Sequence, residues 1–484
     1  MTAATRKTAT QGNGGSDNGV TYTDGVNAEV SNLWGVSFEW LSAVAGTNTI
    51  TATSDTAVVS AVLAYARPKG FYLVPANTNT GAVTINIDSV GAAAIVDLDG
   101  NALTSGTLVA GRLYQILYTG SNFRLVGSSS ITTGSIDHGV NGGRLTLTTA
   151  VPVVTSAVTA ATVLYWTPWK GNQIGLYDGA SSWAVLAQAE VSIKLTDTQT
   201  GSTHNGTKVL DGLTDTSQLI VGMKISGTGI GSGATIQSVD SATQVTATVN
   251  STASASVSIT FKLAASLPYD VFGYNNSSAL KLEFCKWTNA TTRATAPVMQ
   301  DGVLVKTGAT TRRYLGTIAT TTTDGQTEFS FGGLSAGGTA GNLLVYNYAN
   351  RIDTAAMVRD STNSWSYGTA TIRSANGSAT MRVNFVQGVL EDMLCAEYSV
   401  AFGSSGASVG VGFDGTTFSG AIGYIDTTAT AVVVTAVGCF SGTLSSAGLH
   451  YAQALEYVVS GATFYGDNGT PTFFQNGLSF CMRM

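Results

Sequence analysis

The sequence predicts an all-β protein built from several small domains. Glycine contributes 57 of the 484 residues, and long stretches of Thr, Ser, Ala, Val and Gly favour strands and tight turns over helices. Charged residues make up 11% of the chain, against roughly 25% in ordinary globular domains. A chain of this length also exceeds what one hydrophobic core serves, so about two to four domains are expected.

The N-terminal segment, residues 1–30, is small and polar, with glycines at Gly12, Gly14, Gly15 and Gly19 and almost nothing to bury. Such a composition does not order by itself. We interpret the segment as flexible, or as an anchor peptide that orders when it docks. No apolar run follows its two cations, so we do not expect a Sec export signal.

Residues 31–128 are predicted to form a first small β domain. Val83–Ile87 alternates branched apolar and polar side chains, the period of a half-buried strand. Asp99-Gly100 supplies a hairpin turn. Tyr114–Ile116 and Phe123–Leu125 predict two further strands around a Thr-Gly-Ser turn.

Residues 129–139 have the Gly and Ser content of a linker. Residues 140–195 and 262–335 are interpreted as one β domain, interrupted by a second small β domain at 196–261. A Lys-Leu dipeptide stands at both ends of the interruption. This arrangement predicts an insertion at a loop tip, where chains tolerate insertions.

The last region, residues 336–484, is predicted to be a β-sandwich of the jelly-roll kind. Met381–Phe385, Ser408–Phe413 and Ala431–Val437 alternate well and are separated by Gly, Asn and Asp clusters. Several such strands at regular spacing are typical of a sandwich.

Four runs in the middle of the chain carry a family resemblance. They are Leu267–Phe272, Trp287–Thr295, Gln300–Lys306 and Thr311–Thr317. Together they resemble a module of tailed-bacteriophage fibre-type virion proteins, either tail fibres or head fibres. The resemblance is strongest over residues 142–195 and 264–335.

The resemblance implies a structural protein of the virion, assembled in the cytoplasm of the bacterial host. It implies a fibre or spike attached through its N-terminal region to other virion proteins, with the C-terminal sandwich as a tip that contacts a host surface glycan or protein. The scarcity of charge independently favours a homo-oligomer, because a lone chain of this composition cannot cover its apolar surface. We therefore expect an elongated homotrimer.

Two alternatives stay open. One is a capsid decoration protein without a receptor role, and the other is a glycan-depolymerising tailspike. A bacterial adhesin is disfavoured by the missing export signal.

Charge and hydropathy argue against two other classes. The net charge is −6 and the 23 basic residues are scattered, so no stripe of cations predicts nucleic-acid binding. No apolar run approaches the length of a membrane span, so membrane insertion is not expected.

Two glycine motifs match enzyme patterns without their context. Gly333–Gly337 matches G-x-S-x-G, which needs a strand-to-helix elbow, and Gly410–Gly415 matches G-x-G-x-x-G, which needs a following helix. Neither is followed by a helical pattern. We predict no catalytic or cofactor-binding residue and no cofactor, and therefore no enzyme.

The ionisable residues give equally little indication of a catalytic or metal-binding site. The three histidines, His138, His204 and His450, are interpreted as structural. Asp97, Asp99 and Asn101 could offer oxygens to Ca²⁺, but a turn with capping carboxylates explains them as well, and no metal is predicted. Glu391-Asp392 would point to opposite faces of a strand, which does not suit the paired carboxylates of a glycosidase.

The cysteines lie far from any CxxC or zinc spacing. They are Cys285, Cys395, Cys439 and Cys481. We interpret them as four small buried hydrophobes of a protein folded in a reducing cytoplasm. An intermolecular bridge, or a bridge between Cys439 and Cys481, is the alternative.

Aromatic side chains of the last region are the better candidates for contact with a sugar. They are Trp365, Tyr367, Tyr451, Tyr457, Tyr465, Phe473 and Phe474. Most would also fit the core of a sandwich. The receptor-binding residues therefore stay unknown at this level.

Overall fold

The computed structural model describes residues 38–54, 69–128, 138–390, 392–403, 406–426, 433–467 and 476–484. These residues form strands and connecting turns, with one short 3-10 turn at Ala375–Gly377, so the all-β prediction is confirmed. The chain divides into two compact units, residues 1–135 and 136–484. The predicted N-terminal segment lies outside the described residues, as does most of the predicted linker. Within the described part of the chain, no helix has the length and hydropathy to cross a membrane.

The described strands of the first unit close into a barrel. They are β1 (Phe38–Ala45), β2 (Thr49–Ser54), β3 (Lys69–Leu73), β4 (Val83–Ile87), β5 (Ala92–Val96), β6 (Tyr114–Tyr118) and β7 (Phe123–Ser128). Their order around the barrel is β1-β2-β4-β5-β7-β6-β3. The predicted alternation in β4 is confirmed, because Val83, Ile85 and Ile87 are buried in the barrel core. The β6–β7 hairpin also lies where the sequence predicted it.

The second unit begins with a small sheet and a hairpin. Its first strands are β8 (Gly143–Thr146), β9 (Val158–Ala161), β10 (Val163–Pro168), β11 (Gln173–Tyr177), β12 (Trp183–Ala187) and β13 (Val191–Lys194). Strands β13, β10 and β8 form one sheet, and β11 pairs with β12.

The interrupting segment forms a six-stranded sheet of its own. Its strands are β14 (Thr196–Thr203), β15 (Val209–Asp211), β16 (Lys224–Ser226), β17 (Ile236–Ser241), β18 (Gln244–Ala247) and β19 (Ala255–Lys262), in the order β16-β19-β14-β15-β18-β17. The first and last strands pair along their whole length, from Thr196 opposite Lys262 to Thr203 opposite Ala255. The segment therefore leaves and re-enters the surrounding structure at adjacent points.

After this sheet the chain builds another antiparallel sheet. The strands are β20 (Pro268–Asn276), β21 (Ala279–Lys286), β22 (Pro297–Gln300), β23 (Val303–Lys306), β24 (Ala309–Ala319), β25 (Thr327–Ser330), β26 (Leu334–Ser335), β27 (Gly341–Leu343) and β28 (Val345–Asn347). The sheet order is β21-β20-β24-β23-β22, and β28 pairs with β24.

One buried arginine ties this sheet to the start of the second unit. The Arg313 guanidinium donates to the backbone carbonyls of His138, Gly139 and Val140 and to that of Gly175, at 2.7 to 2.9 Å. The two stretches on either side of the insertion are thus in direct contact through charge-assisted hydrogen bonds.

The C-terminal region contributes β29 (Asp353–Asp360), β30 (Ser364–Tyr367), β31 (Arg373–Ser374), β32 (Arg382–Gln387), β33 (Leu394–Gly403), β34 (Ala407–Phe413), β35 (Ser419–Ile425), β36 (Val433–Gly442), β37 (Gly448–Val458), β38 (Ala462–Tyr465) and β39 (Asn476–Arg483). With strands from before residue 336 they form one curled sheet in the order β26-β29-β39-β33-β36-β35-β34-β37-β32-β27-β25-β9.

The curled sheet folds over itself like a sandwich. Rings from its two halves meet in the interior, where Phe385 stacks on Phe480 at 4.7 Å and Phe413 contacts Phe440 at 4.8 Å. Strand β35 pairs with both β34 and β36, and a register shift bends the β34–β35 pair. The two layers are therefore joined along one side. The sheet also includes β9 and β25, which the sequence grouped with the preceding domain, and the domain boundaries stay predictions.

Candidate functional site

A surface groove in the C-terminal region is the candidate site for contact with a ligand. Strands β30 and β38 pair from Ser364 opposite Tyr465 to Tyr367 opposite Ala462. Where this pair ends, the groove has a volume of about 370 Å³ and is lined by Ser366, Tyr367, Gly368, Gly461, Ala462 and Thr463. Two serine or threonine hydroxyls and several backbone groups thus line an open depression. Such groups can donate to and accept from the hydroxyls of a sugar.

The backbone conformation at the end of this groove requires a glycine. Gly461 has φ +141°, and a Cβ there would lie 3.9 Å from the Cα of Gly368. A residue with a side chain would be strained at this φ. The shape of the groove therefore depends on glycine at position 461.

Buried side chains fix the wall beneath the groove. The Tyr367 hydroxyl donates to the Thr371 carbonyl at 2.7 Å, and the Arg373 guanidinium lies 3.8 Å from the centre of the Tyr367 ring. Arg373 Nε in turn donates to Glu456 Oε1 at 2.8 Å, and Trp365 Nε1 donates to Glu456 Oε2 at 2.9 Å. The Glu456 side chain is fully buried, whereas the Arg373 side chain that links it to Tyr367 is 31% exposed; together they hold Tyr367 in place.

Burial raises the pKa of Glu456, against the opposing effect of the hydrogen bonds from Trp365 and Arg373. Glu456 was not among the site residues predicted from the sequence. A single acid within the apolar strand Gly448–Val458 signals a buried charge that needs a partner, but its partner Arg373 is far away in sequence.

A second concavity lies in the second unit, against β8. It has a volume of about 180 Å³ and mostly apolar walls, including Leu147, Phe329, Phe331 and Val345, with Arg144 beside them. The Arg144 guanidinium donates to the Asn350 and Met484 carbonyls, and burial lowers the pKa of Arg144 to about 10. This cavity is small and suits a single apolar group.

Residues from the runs on which the expected fibre-type resemblance rests meet in a third place, a buried cluster on the β20–β24 sheet. The Asp270 carboxylate accepts from Arg293 Nε at 2.7 Å and from the Thr317 hydroxyl at 2.7 Å. The Thr317 and Tyr314 hydroxyls are 2.6 Å apart. Three of the four runs thus contribute to one hydrogen-bonded cluster.

The histidines occupy structural positions. His450 is buried, its Nδ1 lies 2.6 Å from Asp414 and its Nε2 lies 3.0 Å from the Ser446 carbonyl, so both ring nitrogens are partnered without a serine hydroxyl. His204 Nε2 lies 3.0 Å from Asp211. His138 stacks on Trp183 at 5.2 Å.

The glycine motifs have structural roles. Ser335 lies in the short strand β26, and its hydroxyl is 2.8 Å from that of Thr339. Gly410 and Gly412 lie in β34, where a Cβ at either position would come within 2.6 Å of the Phe418 or Leu455 side chain. These glycines make room for neighbouring side chains.

Asp97 caps its own turn. Its Oδ1 accepts from the backbone N–H groups of Asp99 and Asn101 at 3.0 and 2.8 Å. The hydrogen bond from the Asn101 N–H is the largest cause that lowers the pKa of Asp97. These contacts are those of the capped turn that the sequence offered as the alternative to Ca²⁺. Among the described residues, no group of three or more His, Cys, Asp or Glu side chains could hold a metal ion.

The Glu391-Asp392 pair and the aromatic candidates for sugar contact lie in different environments. Glu391 lies outside the described residues, and the buried Asp392 accepts from Arg351 and from the Tyr346 hydroxyl. Trp365 and Tyr367 are buried, as the core interpretation predicted, although Tyr367 borders the groove. Tyr451, Tyr457 and Tyr465 are half-buried, and Phe473 and Phe474 lie outside the described residues.

The interpretation of all four cysteines as buried is wrong. Cys439 and Cys481 are exposed, Cys285 and Cys395 are half-buried, and all four are free thiols. The cause is strand alternation: Leu394, Ala396, Phe480 and Met482 take the inward positions, which places Cys395 and Cys481 on the outer face.

Comparisons with known proteins identify no family for this chain. No protein-family model matches the chain, and no curated protein matches it. Among solved structures, the chain is similar to one in "Structure of infectious bursal disease virus Gx strain", at 10% identity over 59% of this chain and 74% of that chain, with a TM-score of 0.14. A similarity at this TM-score supports no inference about fold or function.

Proposed function

We propose that this protein is a structural component of a bacteriophage virion, a fibre or spike that projects from the tail or the head and contacts the host cell surface. The observation that carries the proposal is the cluster of Asp270, Arg293, Tyr314 and Thr317. These four residues belong to three separate runs of the fibre-type resemblance, and their side chains are joined by hydrogen bonds. The resemblance therefore follows a folded unit, as common ancestry would require.

Exposed apolar side chains in both units support assembly into a homo-oligomer, and the oligomer that we propose is a trimer. Trp40, Ile422, Tyr424 and Val433 each expose about half of their surface, in a chain with few charged residues. Apolar surface of this kind is typical of faces covered by another subunit. Sedimentation of the purified protein is expected to give a trimer, and a stable compact monomer at micromolar concentration would contradict this part of the proposal.

The groove at Ser366 and Thr463 is the proposed contact with a host surface glycan. Each contact is weak, but several copies on one particle multiply the binding. Thr463→Lys, which fills the groove with a long side chain, is expected to reduce inhibition of phage adsorption by the purified protein at least several-fold. Ser256→Lys, at an exposed position of the inserted sheet, is the matched control and should inhibit as well as the wild type.

Immunogold labelling of intact particles tests the virion assignment. Labelling at the tail or at one vertex is expected. Labelling over every capsomer would favour the decoration protein, and no labelling would reject the proposal. The tailspike alternative predicts new reducing ends when the protein is incubated with host capsule or lipopolysaccharide, and our proposal predicts none.

A further inference from the structure

Two thiols face each other across neighbouring strands of the curled sheet. Cys395 in β33 lies directly opposite Cys481 in β39. Directly opposite residues of antiparallel strands point to the same side, with Cα atoms about 4.5 or 5.5 Å apart. A disulfide requires Cα atoms roughly 4.4 to 6.8 Å apart. The pair therefore meets this requirement without movement of the backbone.

The other pairs of cysteines do not meet this distance requirement. Cys439 lies opposite Glu397, whereas Cys395 lies opposite Ser441, so Cys395 and Cys439 are diagonal neighbours with Cα atoms roughly 7 to 8 Å apart. Cys439 and Cys481 have β33 between them, a separation of about two strand spacings or roughly 9 to 10 Å. Cys285 belongs to another sheet. Only one pairing of the four thiols is thus compatible with the register of the described strands.

The pair is also accessible from one side. Cys481 is exposed and Cys395 is half-buried. The residues before and after each cysteine are buried in the sheet interior, so both strands are held by their packing on the other face. A small oxidant can reach Cys481 first, and the fixed backbone keeps Cys395 beside it.

We propose that Cys395 and Cys481 form an oxidation site, at which a small-molecule disulfide converts the two thiols into a disulfide between β33 and β39. The Cys481 thiolate attacks one sulfur of the small disulfide and releases one small thiolate. The Cys395 thiolate then attacks the Cys481 sulfur, forms the Cys395–Cys481 bond and releases the second small thiolate. The protein thiols lose two protons and two electrons, and the small disulfide takes them up as two thiols. This inference does not depend on the proposed function.

The reaction should be slow at neutral pH. Partial burial, together with contact with the Cys395 thiol, raises the pKa of Cys481 above that of an ordinary thiol. The thiolate is the attacking species, so the rate follows the fraction of Cys481 that is ionised. Because the pKa is raised, this fraction is small at neutral pH, and it rises about tenfold per pH unit until the pH reaches the thiol pKa. The site would therefore discriminate between brief and prolonged exposure to an oxidant.

Peptide mapping of the full-length protein tests the site. The protein is reduced, desalted, exposed to oxidised glutathione at mildly alkaline pH, quenched in acid, alkylated and digested for mass spectrometry. The expected result is a linked Cys395–Cys481 peptide, with Cys285 and Cys439 still alkylated. Alkylation of Cys395 and Cys481 after prolonged oxidation would overturn the proposal, and so would a bridge from Cys439 to either thiol or a covalent dimer on a non-reducing gel.

Two controls separate geometry from intrinsic reactivity. Cys439→Ser, a substitution of the nearby thiol that does not take part, is expected to form the Cys395–Cys481 bond at the wild-type rate, and failure to do so would overturn the assignment. The wild-type protein oxidised in guanidinium chloride should lose the selectivity and give mixed pairings. If the unfolded chain showed the same selectivity, the register of the sheet would not be its cause and the proposal would be wrong.

Discussion

The inner and outer faces of strand β33 place residues of one stretch of sequence in two different environments. On the inner face of β33, Ala396, Tyr398, Val400 and Phe402 are buried. On the outer face, Cys395, Glu397 and Ser399 are exposed or half-buried. Successive residues alternate between faces, so the face that a side chain occupies is set by its position along the strand and by the register of the strand pairing.

The faces differ in what their apolar side chains contact. On the inner face Phe480 stacks on Phe385 from the opposite half of the curled sheet. On the outer face Val437 and Met357 expose 46% and 43% of their surface. We therefore expect changes on the inner face to affect stability strongly and changes on the outer face to affect it little.

The largest effect is expected for Phe480→Ala. Phe480 is almost fully buried, and removal of a buried ring costs about 4 kcal/mol, because transfer energy is lost and a cavity is left. Hydrogen–deuterium exchange of peptides covering 394–403 measures the loss as a lower free energy of local opening. Ser479→Ala, the neighbouring position on the other face, should change it by less than about 0.5 kcal/mol. Equal losses at the two positions would contradict the assignment of the faces.

Oxidation of Cys395 and Cys481 is expected to stabilise the outer face by about 3 kcal/mol, because the bond closes a long loop in the unfolded chain. The same exchange experiment on β39 peptides, with and without the disulfide, measures the gain. Faster exchange in the oxidised protein would mean that the bond strains the strand pair.

Glu456→Gln is expected to cost about 2 kcal/mol, because the two Glu456 oxygens accept from Trp365 and Arg373, and the amide of Gln would place an N–H group against one of these two donors. Burial raises the pKa of Glu456, so the folded protein binds the proton more tightly than the unfolded chain does. The stability that this group contributes is therefore largest at acid pH and falls as the pH rises from 4.5 through the raised pKa. The difference in stability between wild type and variant should narrow over that range.

Chemical denaturation at several pH values, followed by exchange in β37 peptides, measures this difference. Glu397→Gln removes the same charge from the exposed face and serves as the matched control, with an expected change below about 0.5 kcal/mol at every pH. If the difference in free energy of unfolding between wild type and Glu456→Gln widened as the pH rises, the direction of the pKa shift would be contradicted.

The smallest effect is expected for Cys481→Ser in the reduced protein. The thiol is exposed, so a hydroxyl in its place should change stability by less than about 0.5 kcal/mol. Thermal unfolding under reducing conditions measures the change. A loss above about 1 kcal/mol would show that the thiol is packed and that the outer face differs from the one described.

The local sequence pattern predicted well where the strands lie. It predicted less well on which face of the sheet an isolated residue lies. Val83–Ile87 could be assigned because three branched residues share one parity. Cys395 and Cys481 were misassigned, because cysteine is a buried residue type on average and only the neighbouring Leu394 and Phe480 reveal the outward parity.

The groove could not be predicted from sequence. Its walls come from residues 366–368 and 461–463, which adjoin only because β30 pairs with β38. The Glu456 and Arg373 contact depends in the same way on the pairing of β31 with β37. No local period encodes such long-range pairing.

Arg313 bears on how the second unit would carry mechanical load. Its guanidinium holds three consecutive carbonyls, from His138 to Val140, at the C-terminal end of the predicted linker. Tension applied to the chain before His138 would therefore act on hydrogen bonds that all depend on one guanidinium. If the proposed role in a projecting appendage is correct, one cation would fasten the start of the second unit against that tension.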